Sequence, residues 1–469
     1  MDQETAIPPD RLTGPISKLV GLYQGFLRRT AEHFFPEALL DAIGDRTVIN
    51  WDGRRREEYY RLTEDPDGVG LILDWFGTRY MFQPGSPTPF LPAERRLIEI
   101  IVRTLDLRFR GLFDLEIVHR AERFHYALED LIITEYLNPA DPFRVPAVLE
   151  ALRVAALSTY ENRRVSMGAV LLGTQNDPAA PNWTNPGGAP RFNTRLTGIK
   201  GFHRLGDGLC TAFIVDRQGE LGRIVDIERW TQRTQGANAL VDPCPREYIH
   251  HARATRSGGH VCLLLTRSQE IKVFARGTMV FAFSDARWRL LDIPTKFATW
   301  CRAISTSCPS DLALKLFQAA LNLAEDRKGG LFVVLRDPAK SVAQLIAPQD
   351  RIVEDVIADD PQDPENLSPR QSKRVLHHVV RGRSLADLDS SELEALAGID
   401  GAVVTDLSGR LLTFGAILRI DPEALKVARA VEGARTLAAL AASFHGPVLK
   451  VSEDGFLTMY LGGRRMWEL

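Results

Sequence analysis

Several things are scarce in this chain, and each scarcity removes a class of reading. Of 469 residues only five are cysteine (Cys210, Cys244, Cys262, Cys301 and Cys308), with no C-x-x-C spacing. No structural zinc site is visible in that pattern. It predicts buried, reduced thiols, with Cys210 and Cys262 inside apolar strand-like runs. Long hydrophobic stretches are also missing: "GAVLLG" and "VCLLL" fall far short of the roughly 20 residues that span a bilayer. Charge of one sign is not in excess, since 58 Lys and Arg face 60 Asp and Glu for a formal net charge of −2. No global basic field exists to recruit nucleic acid. The opening "MDQETAIPPD" lacks the basic and apolar regions of a secretory signal. These absences give the expectation of a cytoplasmic protein with no membrane and no nucleic-acid partner.

Familiar catalytic signatures are missing too. No P-loop, G-x-S-x-G or dinucleotide fingerprint occurs. His250-His251 and His377-His378 are adjacent pairs whose side chains diverge, unlike the i, i+4 pair of helical zinc sites. His119 and His125 lie six apart without the glutamate motif of a metalloprotease, which predicts surface histidines.

What is present is an ordinary globular composition, 45% apolar and 25% charged, in a chain long enough for two or three cores. Residues 1–145 read as a mixed α/β region. Ile16, Leu19, Val20, Tyr23 and Leu27 share one helical face. "GVGLILDWFGTRYMF" is strand-like, and Pro92 suits the first position of a helix. The cluster Arg54 to Arg56 is followed by Glu57 and Glu58, the pattern of a solvated mixed face. "SKRVLHHVVRGR" reads as a surface helix.

From about residue 146 three blocks occur twice in the same order. Ala155 to Gly173 matches Ala319 to Arg336, each a helix end, a charged turn and a buried strand. Phe213 to Ile227 matches Val403 to Ile417, with Asp216 over Asp406 and Gly219 over Gly409. Val261 to Gly277 matches Pro447 to Gly463. The expectation is two tandem copies, 146–300 and 309–469. Each copy runs helix, strand, variable connection, hairpin, helix, strand pair, as an α/β fold with a mixed sheet. The variable connections "TQNDPAAPNWTNPGGAP" and "IADDPQDPENLSPRQS" are polar and Pro-rich.

The second copy resembles the diadenylate cyclase domain, found in the DNA-integrity scanning protein and in membrane cyclases that make cyclic di-AMP. The likeness rests on "GGLFVVLRDP" as the first strand and "GIDGAVVTDLSGRLLTFGAIL" as the Asp-Gly-Ala motif and hairpin. "EGARTLAAL" stands at the family's phosphate turn, and "VLKVSEDGFLTMYLGG" at the closing Val-Ser-Glu strands. The resemblance implies a nucleotide site made of Asp400, Gly401, Ala402, Gly433, Ala434, Arg435, Thr436, Ser452 and Glu453. In it Asp400 would be the catalytic, metal-binding carboxylate for Mg or Mn, with Gly401 allowing close backbone approach. Arg435 would clamp phosphate.

The departures are as specific. The family's Arg-His-Arg is Arg435-Thr436-Leu437 here, and its histidine before the Asp-Gly-Ala turn is Ile399. Each lost transition-state contact removes about 10²–10³ in rate. The sequence therefore resembles the family's divergent sensor-type members most, which implies binding of a nucleotide or cyclic dinucleotide without efficient turnover and an effector protein downstream. The alternatives are an active metal-dependent diadenylate cyclase, working as a homo-oligomer or an internal pseudo-dimer, and a protein-interaction scaffold with a relic site. In the first copy Cys210-Thr211-Ala212 falls under the Asp-Gly-Ala turn, with Asp207-Gly208-Leu209 just upstream. His251, Arg253 and Arg256 stand at its phosphate turn.

Overall fold

A computed structural model describes residues 15–43, 60–75, 78–85, 88–138, 144–174, 189–199, 201–236, 240–304, 310–352, 376–380, 383–420 and 433–469. Cys308, the cluster from Arg54 to Glu58, the side chain of Ile16 and most of both Pro-rich connections lie outside the described residues. The chain divides into two compact units. One runs to Val241 and resumes over His250–Leu291; the other comprises Asp242–Ile249 and Asp292–Leu469. Among the described residues no helix is long and apolar enough to cross a membrane.

The first unit begins with the helix Pro15–Phe34, whose predicted apolar face is buried at Val20, Tyr23 and Leu27. Next comes a four-stranded antiparallel sheet of β1 (Leu39–Ala42), β2 (Tyr60–Glu64), β3 (Leu71–Trp75) and β4 (Thr78–Gln83), in the order β1-β4-β3-β2. The single strand-like run around Trp75 is thus a hairpin, and its inward residues Leu71, Leu73 and Trp75 alternate as the pleat requires. Pro92 does open a helix, Pro92–Arg110. The Glu94 carboxylate accepts from the Leu91 amide at 2.8 Å and closes its first turn.

A short hairpin of β5 (Thr159–Tyr160) and β6 (Arg163–Arg164) precedes the main sheet of this unit. That sheet holds β7 (Met167–Leu171), β8 (Thr211–Val215), β9 (Leu221–Asp226), β10 (Val261–Leu265), β11 (Ile271–Ala275), β12 (Thr278–Ser284) and β13 (Arg287–Leu290). Their order is β13-β12-β11-β10-β7-β8-β9. Among the described strands of this sheet, β7 and β8 form the one parallel pair. The core of this sheet is continuous with the N-terminal helix: Val20, Tyr23 and Leu27 belong to one buried cluster with Leu263, Phe281 and Trp288.

The second unit is built on β14 (Gly330–Leu335), β15 (Ala402–Asp406), β16 (Leu411–Ala416), β17 (Val448–Val451), β18 (Leu457–Leu461) and β19 (Arg464–Glu468). The order is β16-β15-β14-β17-β18-β19, again with one parallel pair, β14 and β15. It is a mixed α/β sheet, as the sequence led one to expect. Both sheets extend past the anticipated strand pair, by β12 and β13 in one and by β19 in the other. Tight two-residue turns at Arg276-Gly277 and Gly462-Gly463, all four at positive φ, send the chain back for these further strands.

Several turns of the two units carry the same local hydrogen bonds. Asp216 Oδ1 accepts from the amides of Gln218 and Glu220 at 2.9 and 2.8 Å. Asp406 Oδ1 accepts from Ser408 and Arg410 at 2.9 and 3.1 Å. Gly219 and Gly409 follow at φ +80° and +86°, and their carbonyls accept from Phe192 and Leu385. The β10–β11 and β17–β18 turns correspond in the same way: Thr266 Oγ1 accepts from the Glu270 amide and Ser452 Oγ from Phe456, each at 3.1 Å. Thr255 Oγ1 accepts from the Gly277 amide as Ser443 Oγ does from Gly463.

These hairpin glycines make a direct test. A Cβ on Gly219 or Gly409 would meet only ordinary van der Waals neighbours, so the cost of alanine comes from the left-handed backbone. Gly219→Ala and Gly409→Ala should each lower stability by about 1 kcal/mol, read as a shift in urea midpoint. Unchanged midpoints would show that the turns do not hold this geometry.

Candidate functional site

The residues named from the sequence gather along one edge of the second sheet because of strand direction. Strand β14 pairs in parallel with β15, Phe332 facing Val403, and antiparallel with β17, Gly330 facing Val451. The beginnings of β14 and β15 and the end of β17 therefore lie at the same edge. Asp400-Gly401 leads into β15, Gly329 into β14, and Ser452-Glu453 leaves β17. With about 4.8 Å between neighbouring strands, the backbones of Asp400 and Ser452 stand about 10 Å apart across Gly329.

Asp400 follows the helix Ser390–Ala397 and is exposed. Gly401 has φ +123°. A Cβ there would come within 2.6 Å of the Ala416 nitrogen and 2.8 Å of its carbonyl oxygen. The close approach that this glycine permits is thus to strand β16. Ala402 is buried opposite Ala416 at the head of β15.

The phosphate-turn segment enters the helix Ala434–Ser443 with Gly433 as its N-cap and no side chain capping it. Gly433 and Ala434 are exposed. The Arg435 guanidinium lies over Gly329, where a Cβ would fall within 2.8 Å of Nη2. Its Nη1 is 3.4 Å from Glu453 Oε1, and the two side chains are 35% and 73% exposed. That pair is solvated enough to open at little cost. Thr436 Oγ1 accepts from Lys450 Nζ at 3.1 Å. Ser452 uses its hydroxyl to close the β17–β18 turn, as Thr266 does in the first unit.

The divalent metal that the resemblance implies does not fit these donors. Among the described residues no three His, Cys, Asp or Glu side chains come together to hold an ion. Asp400 is an exposed carboxylate. Thr436, which stands where the resemblance implies imidazole, offers only a hydroxyl already bonded to Lys450 Nζ.

The corresponding edge of the first unit is filled by its own side chains. Asp207 Oδ1 accepts from the amides of Leu209, Cys210 and Thr211 at 3.1, 2.9 and 2.9 Å. His251 does not face a phosphate turn as its sequence position suggested: it is 1% exposed, and its Nε2 lies 2.5 Å from the Gly208 carbonyl. Arg253 is half-buried and Arg256 exposed. Cys210, expected inside a strand, is exposed in the loop that Asp207 caps. Cys262 is buried, and burial pushes its thiol far up. His377 is also buried, its Nε2 3.3 Å from the Phe414 carbonyl, so "SKRVLHHVVRGR" is not wholly a surface segment.

Sequence reasoning missed Lys450 and Gly329. A lysine inside the apolar run "PVLKV" was the available signal for the first. The second showed no signal beyond its place beside a strand.

No known protein family matches the chain, and no curated protein matches it. Among solved structures it is similar to a hypothetical membrane spanning protein from Bacillus cereus, at 17% identity over 36% of this chain and 69% of that one, with a TM-score of 0.25. It is also similar to a double mutant of DacA from Staphylococcus aureus, at 19% identity over 33% of this chain and 85% of that one, with a TM-score of 0.19.

Burial gives His251 a pH signature. Desolvation lowers its pKa from the ordinary 6.5 to about 4, so the unfolded chain takes up a proton that the folded chain refuses. Its contribution is complete above about pH 6.5 and is lost as pH falls towards 4, by about 3 kcal/mol at most. Urea titrations at pH 7 and pH 4.5 should show a smaller loss for His251→Asn than for the parent protein. Equal losses, together with a histidine NMR titration near 6.5, would overturn this assignment.

Proposed function

We propose that the second unit is a nucleotide sensor, binding a nucleotide or cyclic dinucleotide at the Asp400–Arg435–Glu453 edge without efficient turnover. The observation that carries this reading is the convergence of three separately predicted segments on one sheet edge, with a phosphate-type arginine and, among the described residues, no group of three metal-ligating side chains. Arg435 offers a planar fork for two phosphate oxygens. Its present partner, Glu453, is an exposed carboxylate that a ligand phosphate can displace. The bound state would be read by an effector protein. The Gly401 contact with β16 is what a relic scaffold would also keep, so binding must be measured directly.

Calorimetry with ATP and with cyclic di-AMP should give saturable binding to one of them, weakened about tenfold or more in Arg435→Ala, the worth of a charge-assisted phosphate contact. Labelled ATP incubated with manganese should be recovered intact by chromatography. A cyclic product that disappears in Asp400→Asn would replace this reading with an active cyclase. Binding of neither nucleotide would leave the scaffold.

A further inference from the structure

We infer that Arg96 and Arg276 form an anion site in the first unit, one that takes a dianionic phosphate group, either free or as the monoester end of a small metabolite. It stands apart from the nucleotide reading above, which concerns the second unit.

The two arginines come from different elements and meet at the end of a third. Arg96 lies in the helix Pro92–Arg110, and Arg276 opens the tight turn between β11 and β12. Both reach the last residues of the helix Leu128–Leu137. Arg96 Nη2 donates to the Tyr136 carbonyl at 2.9 Å, and Arg276 Nη2 donates to the Leu137 carbonyl at 3.2 Å. The Arg96 guanidinium also stands 4.6 Å from the centre of the Tyr136 ring. Successive carbonyls thus hold two guanidiniums side by side, Arg96 half-buried and Arg276 exposed.

Their positive charge is left without a carboxylate. Glu135, the acidic residue nearest in sequence to these carbonyls, lies 3.5 Å from Arg103 and 3.4 Å from Arg123. Among the described residues neither Arg96 nor Arg276 is ion-paired with a carboxylate. Burial, and next the Arg96 charge beside it, hold the Arg276 guanidinium below its ordinary pKa. The helix end offsets part of this repulsion, but one cation is enough for that role.

The backbone at Arg276 is an independent observation. Its φ is +56°, in a two-residue turn flanked by the pair Ala275 and Thr278. Such a turn favours Asn before Gly, and arginine gains nothing from the left-handed conformation. The turn does not call for this side chain; its guanidinium does the work. Each planar fork has given one N–H to the helix and has further donors for phosphate oxygens, and two positive charges match a dianion.

The test is equilibrium dialysis of the full chain with labelled inorganic phosphate at constant ionic strength. An Arg435→Ala background keeps the edge of the second unit from contributing. A single saturable equivalent should bind. Arg96→Gln and Arg276→Asn should each weaken it about tenfold or more, the worth of a charge-assisted hydrogen bond. Arg302→Gln, which removes an exposed arginine of the second unit, should stay within about twofold. Asparagine suits the turn, so Arg276→Asn should fold, and near-ultraviolet circular dichroism checks that it does. Glycerol phosphate competing as tightly as phosphate would identify a monoester as the source; much weaker competition would identify free phosphate. No saturable binding, or parental affinity in folded Arg276→Asn, would overturn the inference and leave both arginines as caps of the helix Leu128–Leu137. Neither result bears on nucleotide binding by the second unit.

Discussion

The parallel pairing of β14 with β15 is the constraint from which the candidate site follows. Two parallel neighbours cannot be joined by a hairpin, so the chain must travel back along the sheet before the second strand begins. Both strands then start at one edge, and an antiparallel neighbour on the other side, β17, must end there. Asp400, Gly329 and Ser452-Glu453 are brought together by direction alone, before any side chain makes a choice. The pair β7 and β8 imposes the same geometry in the first unit.

What differs between the two edges is where the polar groups are spent. In the first unit Asp207 places a carboxylate against three successive backbone amides, and His251 reaches the carbonyl of Gly208. An anion that is part of the chain already sits where a loop would otherwise offer its donors, and the imidazole is buried and neutral. In the second unit the groups at the edge are bonded weakly and mostly exposed. Glu453 is the more exposed partner of Arg435, and hydration of the two side chains lets their pair open at little cost. A polar edge that satisfies itself contributes to stability; one that is only loosely paired remains open to a ligand.

Much of the local chemistry was legible in the sequence because it acts over a few residues. The Asp-x-x-Gly turns, Pro92 at a helix start and Gly433 before a helix are all decided by backbone conformations that neighbouring residues dictate. Other features depend on partners far along the chain. That Gly401 must be glycine follows from Ala416 on the next strand, and that Cys210 is exposed follows from Asp207 pulling its loop into a cap. His251 looked like a ligand because its place in the first copy corresponds to the phosphate turn of the second; its helix register turns it inward, towards Gly208. Lys450 was passed over because a lysine in an apolar strand reads as an interruption until the threonine above it is placed.

The character of a cation decides what a phosphate site can accomplish. A metal ion bridging attacking and leaving groups can tighten its contacts as charge develops, which lowers the barrier of the chemical step. A tethered guanidinium offers nearly the same attraction to a phosphate before reaction and during it. Interactions that are equal in the ground and transition states strengthen binding and leave the barrier where it was. The edge proposed above as a nucleotide site sets Arg435 beside the Glu453 carboxylate, and a fixed guanidinium of that kind strengthens binding more than it lowers a barrier.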